Sequence, residues 1–150
     1  MQPAREPDAR TEDFHLVFLA TPAAVRENLA HALSVRPLAD LSDDARGSAQ
    51  LVLAEVLNNV TEHAYSEGAG PVSVTLTTSP GGIVCLIVDQ GRSMPEDRLP
   101  EGTMPGGAGL PFEDLPEGGF GWHLIRTLTQ GLSYQRAGGC NRLNFTLPTG

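Results

Sequence analysis

The chain has 150 residues, 40% of them hydrophobic, enough to bury one core in one domain without staples. Its formal net charge is −8 and its ten basic residues are all Arg, so it repels nucleic-acid backbones and, lacking Lys, has neither a P-loop nor a eukaryotic-type kinase core. No apolar run approaches the ~18 residues of a membrane span, no signal-peptide core opens the chain, and Cys85 and Cys140 lack metal spacing, so they read as free thiols of a cytoplasmic protein.

Met1 to Asp13 has two Pro, mixed charge and no period, and reads as a flexible tail before one domain over residues 14–150. Phe14 to Ala20 is a short apolar run between turn signals, hence a strand. Thr21-Pro22 opens a helix, with Thr as N-cap and Pro in the first turn, and Pro37 ends it. Ser42-Asp43-Asp44 opens a second helix with acids suited to its dipole, running to about Tyr65 and stopping before Gly68. Pro71 to Thr78 alternates as a half-buried strand, and Pro80-Gly81-Gly82 is a turn. Ile83 to Val88 is almost wholly apolar and reads as a strand covered on both faces.

Arg92 to Gly118 holds five Pro and five Gly without a period. Loops longer than ~12–15 residues are rare in compact domains unless they have a function, so this segment reads as a lid. A helix follows from about Gly121 to Gln130, then two strands, Leu132 to Arg136 and Arg142 to Leu147, around the turn Gly138-Gly139. The order β-α-α-β-β-lid-α-β-β does not fit a right-handed parallel βαβ series. It predicts an α/β (α+β) two-layer sandwich: a mixed, largely antiparallel sheet with helices on one face.

On the long helix Leu53, Val56, Leu57, Val60 and Ala64 share one face. Glu55, Asn59 and Glu62 fall near the opposite face, with His63 at its edge. A carboxylate one turn from a carboxamide can polarise a hydroxyl while the amide oxygen binds Mg²⁺. Taken alone, the same pattern also describes the solvated face of any amphipathic helix. Asn58-Asn59 in mid-helix is a local cost that suggests a tertiary use. Asp89 ends the apolar strand, where it can accept from an exocyclic amine such as adenine's, and Gly91 lets a flat ring approach the backbone. An ordinary Asp-x-Gly turn explains both equally well. Gly118-Gly119-Phe120-Gly121, before the last helix, offers free amides to phosphate and a hinge to the lid.

These elements together resemble the GHKL ATPase superfamily, with its Bergerat ATP-binding fold, and within it the bacterial anti-sigma-factor serine kinases. The N-box E-x-x-x-N is Glu55 to Asn59, with His63 at the ninth position; the G1 box is Asp89-Gln-Gly91-Arg-Ser-Met-Pro95; the G2 box is Gly119-Phe120-Gly121; and the closing GGCNRLNFTL is similar to the end of that branch. The resemblance covers about Phe14 to Leu147 and implies a histidine-kinase-like ATPase domain with ATP and Mg²⁺ as its cofactors. It implies Glu55 as general base, Asn59 as Mg²⁺ ligand, Asp89 on adenine N6 and Gly91 clearing the ring. It also implies that Gly119 and Gly121 contact phosphates through backbone amides, that Phe120 between them belongs to the nucleotide site, and that His63 lies near the nucleotide.

The partners implied are an anti-sigma-factor antagonist, phosphorylated on serine, and a sigma factor, with Arg26 near the partner protein. The branch often forms homodimers. Ser93 replaces the second glycine of the fuller G1 box, and the lid has its own pattern, which keeps a non-catalytic ATP-binding partner-switching regulator open as the alternative. A two-component histidine kinase fragment is not expected, since only about 13 residues precede the first strand.

Overall fold

A computed structural model describes residues 13–101 and 119–149. The tail before Asp13 and lid residues 102–118 lie outside the described residues. Strand β1 (Phe14–Leu19) leads into helix α1 (Pro22–Ser34) and, after a 3₁₀ turn at Leu38–Asp40, helix α2 (Asp43–Asn59). Strands β2 (Pro71–Ser79) and β3 (Gly82–Asp89) follow, then helix α3 (Gly119–Leu128) and strands β4 (Gln130–Ala137) and β5 (Cys140–Leu147).

Both helix starts are set by side-chain caps. Thr21 accepts from the Ala24 amide at 3.1 Å and Ser42 from the Ala45 amide at 3.2 Å. The two-residue turn between β4 and β5 needs positive φ at both central positions, and Gly138 and Gly139 supply 60° and 79°.

The sheet order is β1-β2-β3-β5-β4, and every pair is antiparallel. The expected mixed sheet is therefore antiparallel throughout the described residues. The physical reason is connectivity: β5 inserts between β3 and β4 and runs opposite to both. Asp13, read as the end of the tail, is tied to β2, its amide donating to Leu76 O at 2.9 Å.

The helices pack on one face. Val72, Val74 and Leu76 of β2, Ile83, Cys85 and Ile87 of β3, and Leu143, Phe145 and Leu147 of β5 form one core with Val25, Leu33, Val52, Leu53, Val56, Leu57 and Ile125. On the far face Val84, Leu86 and Val88 are half-buried, and Val17 and Leu19 are exposed. The unbroken apolar run of β3 thus reflects its place at the centre of the sheet, not cover on both faces. Both cysteines are free.

Phe145 is 1% exposed at the centre of this core. Phe145→Ala is expected to lower unfolding stability by about 3–5 kcal/mol, read from denaturant midpoints at unchanged m-value.

Candidate functional site

The long helix does not continue as α-helix to Tyr65. Its last turn, Val60–Ala64, widens into a π turn, closed by the Tyr65 amide on Val60 O at 3.0 Å. Single π turns are frequent at functional sites. Val56 and Asn59 at the end of α2, with Val60, His63 and Ala64 of the widened turn, line one wall of a cavity of about 1010 Å³. That is the size of a small-molecule site. The opposite wall comes from Ile87 and Asp89 of β3, Tyr134 of β4, and Asn141 and Leu143 of β5. Arg92, Met94, Glu96 and Asp97 close one side and Trp122 of α3 another.

Glu55 and Asn59 were expected on the solvated face. Both are instead half-buried, on the shoulder between the core stripe and solvent. At 100° per residue Asn59 stands only 60° from Val56, so it follows Val56 inward once a second layer lies alongside. Asn59 Nδ2 is buried and has no partner among the described residues. An orphaned buried amide costs about 1–3 kcal/mol unless something occupies the cavity. In this rotamer it would donate to an anionic oxygen; turned over, it offers a neutral oxygen suited to Mg²⁺. The donor set fits Mg²⁺, which takes few protein ligands and keeps waters or phosphate oxygens.

Asp89 is 6% exposed. Its Oδ1 accepts from the Gly91 amide at 2.8 Å and from Asn141 Nδ2 at 2.8 Å. Among the described residues Oδ2 accepts nothing, which leaves one acceptor in the cavity wall. Burial pushes the carboxyl above its ordinary value, opposed by the bonds from Asn141 and Gly91 and by the charge of Arg136.

Glu55 does not line the cavity but stands beside it, and a Cβ on Gly121 would collide with its Oε1. Burial raises its carboxyl above the ordinary range, and the Glu62 charge adds to this. Gly119 and Gly121 lie inside the first turn of α3 and not before it, and α3 ends at Leu128 because β4 begins at Gln130. Their amides thus belong to a helix N-terminus, where four N–H groups lack intrahelical partners. The side chain of Phe120 lies outside the described residues, as does the proposed hinge at Gly118.

Gly91 makes room for a neighbour within the protein. It does not line the cavity, and its missing Cβ clears the backbone and side chain of Ala64 at the helix end. The Arg92 amide donates to Ala64 O at 2.9 Å across this contact. The Arg92 guanidinium turns to His63 O at 3.2 Å. Arg98 pairs with Glu96 at 3.2 Å, both well exposed. Arg26 is exposed on α1.

Tyr134, Arg136 and Trp122 received no role from the sequence, and Asn141 was noted only within a motif. The period of β4 carried a signal, since Tyr134 and Arg136 alternate on the side of Leu132. Among the described residues no group of three His, Cys, Asp or Glu could cage a metal, and no helix is long and apolar enough to cross a membrane.

The histidine kinase-like ATPase domain family matches residues 18–147. The chain is similar to the serine-protein kinase RsbW of Halalkalibacterium halodurans, 35% identical over 79 residues, 53% of this chain and 48% of that one. It is also similar to the proteins of that name from Bacillus thuringiensis and Bacillus anthracis, each 29% identical over 79 residues, 53% of this chain and 49% of theirs. The chain therefore spans about half the length of the curated relatives it matches.

Gly91→Ala is expected to destabilise the fold by about 1–3 kcal/mol, because the new Cβ meets backbone that cannot move aside. Thermal unfolding of the ligand-free protein checks this; an unchanged melting temperature would contradict the packing role.

Proposed function

The chain belongs to the histidine kinase-like ATPase domain family, and on that premise we propose that it binds ATP with Mg²⁺ and phosphorylates a protein serine. One observation carries the reading: Asn59 and Asp89, distant in sequence, meet on one cavity that offers an unpartnered amide and an unpartnered carboxylate oxygen. Asp89 Oδ2 accepts from the adenine amine. Asn59 holds the metal, the first-turn amides of α3 face the phosphates, and His63 lies at the nucleotide's edge. Bound Mg²⁺ supplies neutralisation of phosphate charge.

In the transfer, the serine hydroxyl oxygen bonds to the γ-phosphorus of ATP, the bond from that phosphorus to the β,γ-bridging oxygen breaks, and ADP leaves. Glu55 takes the hydroxyl proton. A carboxyl held above its ordinary range is a stronger base than a solvated one, which suits it to this role. On this reading the protein is an anti-sigma factor of the cytoplasm. Its phosphorylated substrate is an anti-sigma-factor antagonist, and it sequesters a sigma factor, with exposed Arg26 as a contact.

The position of Glu55, beside the cavity and against Gly121, favours the second reading, an ATP-binding regulator that transfers nothing. Labelled ATP and an antagonist protein separate the two. Glu55→Gln is expected to bind ATP as wild type does and to lose about 10²–10⁴-fold in phosphoserine formation. Transfer by Glu55→Gln at the wild-type rate contradicts the role of Glu55 as base, and ATP binding by wild type without any phosphoserine contradicts the kinase assignment and establishes the regulator.

Glu62 gives a test by pH. An acid whose value is raised in the folded protein holds its proton more tightly there than in the unfolded chain. Its ionisation costs stability as pH rises from the ordinary range to the raised value. The active base is the ionised form, so the transfer rate falls as pH drops through the raised value. Glu62→Gln removes the second cause of the shift, so the acidic limb of the pH–rate profile is expected to move to lower pH.

A further inference from the structure

Asp89 and Asn141 are the two buried polar residues of the described chain, at 6% and 7% exposure, and they bond to each other. Asn141 comes from β5, 52 residues further along the sequence. Its amide is fully committed. Nδ2 donates to Asp89 Oδ1 at 2.8 Å and to Arg92 O at 2.7 Å. Oδ1 accepts from Tyr134 Oη at 2.5 Å and from Arg136 Nη1 at 3.0 Å. Both hydrogens and both lone pairs are used.

The direction of the amide follows from its partners. Arg136 can only donate and an ionised Asp89 can only accept, so a reversed amide would set donor against donor and acceptor against acceptor. The same hairpin fixes the adjoining segment. Arg136 Nη1 donates to Gly91 O at 2.6 Å, and the Met94 amide donates to Tyr134 Oη at 2.9 Å. Any turn of the Asp89 carboxylate short of the half-turn that exchanges its equivalent oxygens gives up the Asn141 and Gly91 bonds.

Resting on the ATP-binding reading above, we infer that Asn141, oriented by Tyr134 and Arg136, is a positioning residue that makes Asp89 present one fixed acceptor to position 6 of the purine. The site then discriminates a 6-amino purine, whose amine donates to Oδ2, from a 6-oxo purine, whose oxygen opposes it. Asn141 touches the carboxylate and acts on the nucleotide through it. Without the Asn141 amide, Oδ1 keeps only the Gly91 amide, so the carboxyl turns and takes up a proton more readily in its buried setting, and a protonated carboxyl accommodates a 6-oxo group.

The experiment compares binding of ATP and inosine triphosphate, which carries oxygen in place of the 6-amine, to wild type, Asn141→Leu and Tyr134→Phe. Wild type is expected to prefer ATP by about tenfold or more, the mismatch of one buried pair. Asn141→Leu is expected to bring the ratio close to one, mainly by weakening ATP. Tyr134→Phe, which removes one of the two donors to the amide oxygen, is expected to give an intermediate ratio.

A merely structural role would weaken both nucleotides equally and leave the ratio unchanged, and that result in Asn141→Leu overturns the inference. If Asn141→Leu does not fold, Tyr134→Phe decides, a lowered ratio supporting the inference and a wild-type ratio overturning it. A wild type that binds ATP no better than inosine triphosphate overturns the adenine reading itself, whereas a wild-type preference that survives both substitutions overturns only the positioning role.

Discussion

A carboxylate in the interior must be bonded or it gives up its charge. Asp89 stands at the end of the central strand β3, buried, and much of the surrounding structure follows from supplying it. The Gly91 amide folds back onto Oδ1, which bends the chain out of β3 and toward the helix end. Asn141 reaches the same oxygen from β5 because the register sets Asp89 opposite Asn141. Arg136 and Tyr134 then satisfy the amide oxygen of Asn141, so the polar requirement of one strand end spreads across three strands. The network stops at Oδ2, which accepts nothing among the described residues.

The second wall depends on how α2 ends. A π turn inserts one extra residue per turn and lets the helix finish against the bend after β3 instead of overshooting it. Ala64 packs where only a glycine can pass, and the Arg92 amide caps its carbonyl. Tyr65 then turns back, donating to Pro71 O at 2.8 Å and accepting from the Gln90 amide at 2.7 Å. Helix end, β2 start and β3 end thus share one junction, and the separation of Asn59 from Asp89 is fixed by it. A site built between two such anchored elements is held more rigidly than one built on a loop.

The local features were legible in the sequence because their causes are local. Thr21 and Ser42 cap as side chains that accept from amides three residues on, and Gly138-Gly139 make the turn that positive φ demands. The order of elements and the helix-on-sheet layering followed from hydrophobic period, and Asp89 and Asn59 stood out by motif. What was not legible is what depends on pairing across the chain. The insertion of β5 between β3 and β4 makes the sheet wholly antiparallel and sets Asn141 against Asp89, and no window of residues contains both. The contact of Gly91 with Ala64 was hidden for the same reason, since a glycine reports only that something comes close and not what it is. The tail before Asp13 and residues 102–118 lie outside the described residues, so their reading stays at the level of composition.

Glu55 and Asp89 show how one fold places two carboxyls in different surroundings. Burial raises both. For Asp89 two hydrogen bonds and a guanidinium offset part of that push, and the two bonds fix the direction of its Oδ1. For Glu55 no bond among the described residues opposes it, and the neighbouring Glu62 adds to it. Gly121 links the two surroundings, because its bare Cα lets α3 approach Glu55 while Trp122, the next residue, lines the same cavity as Asp89.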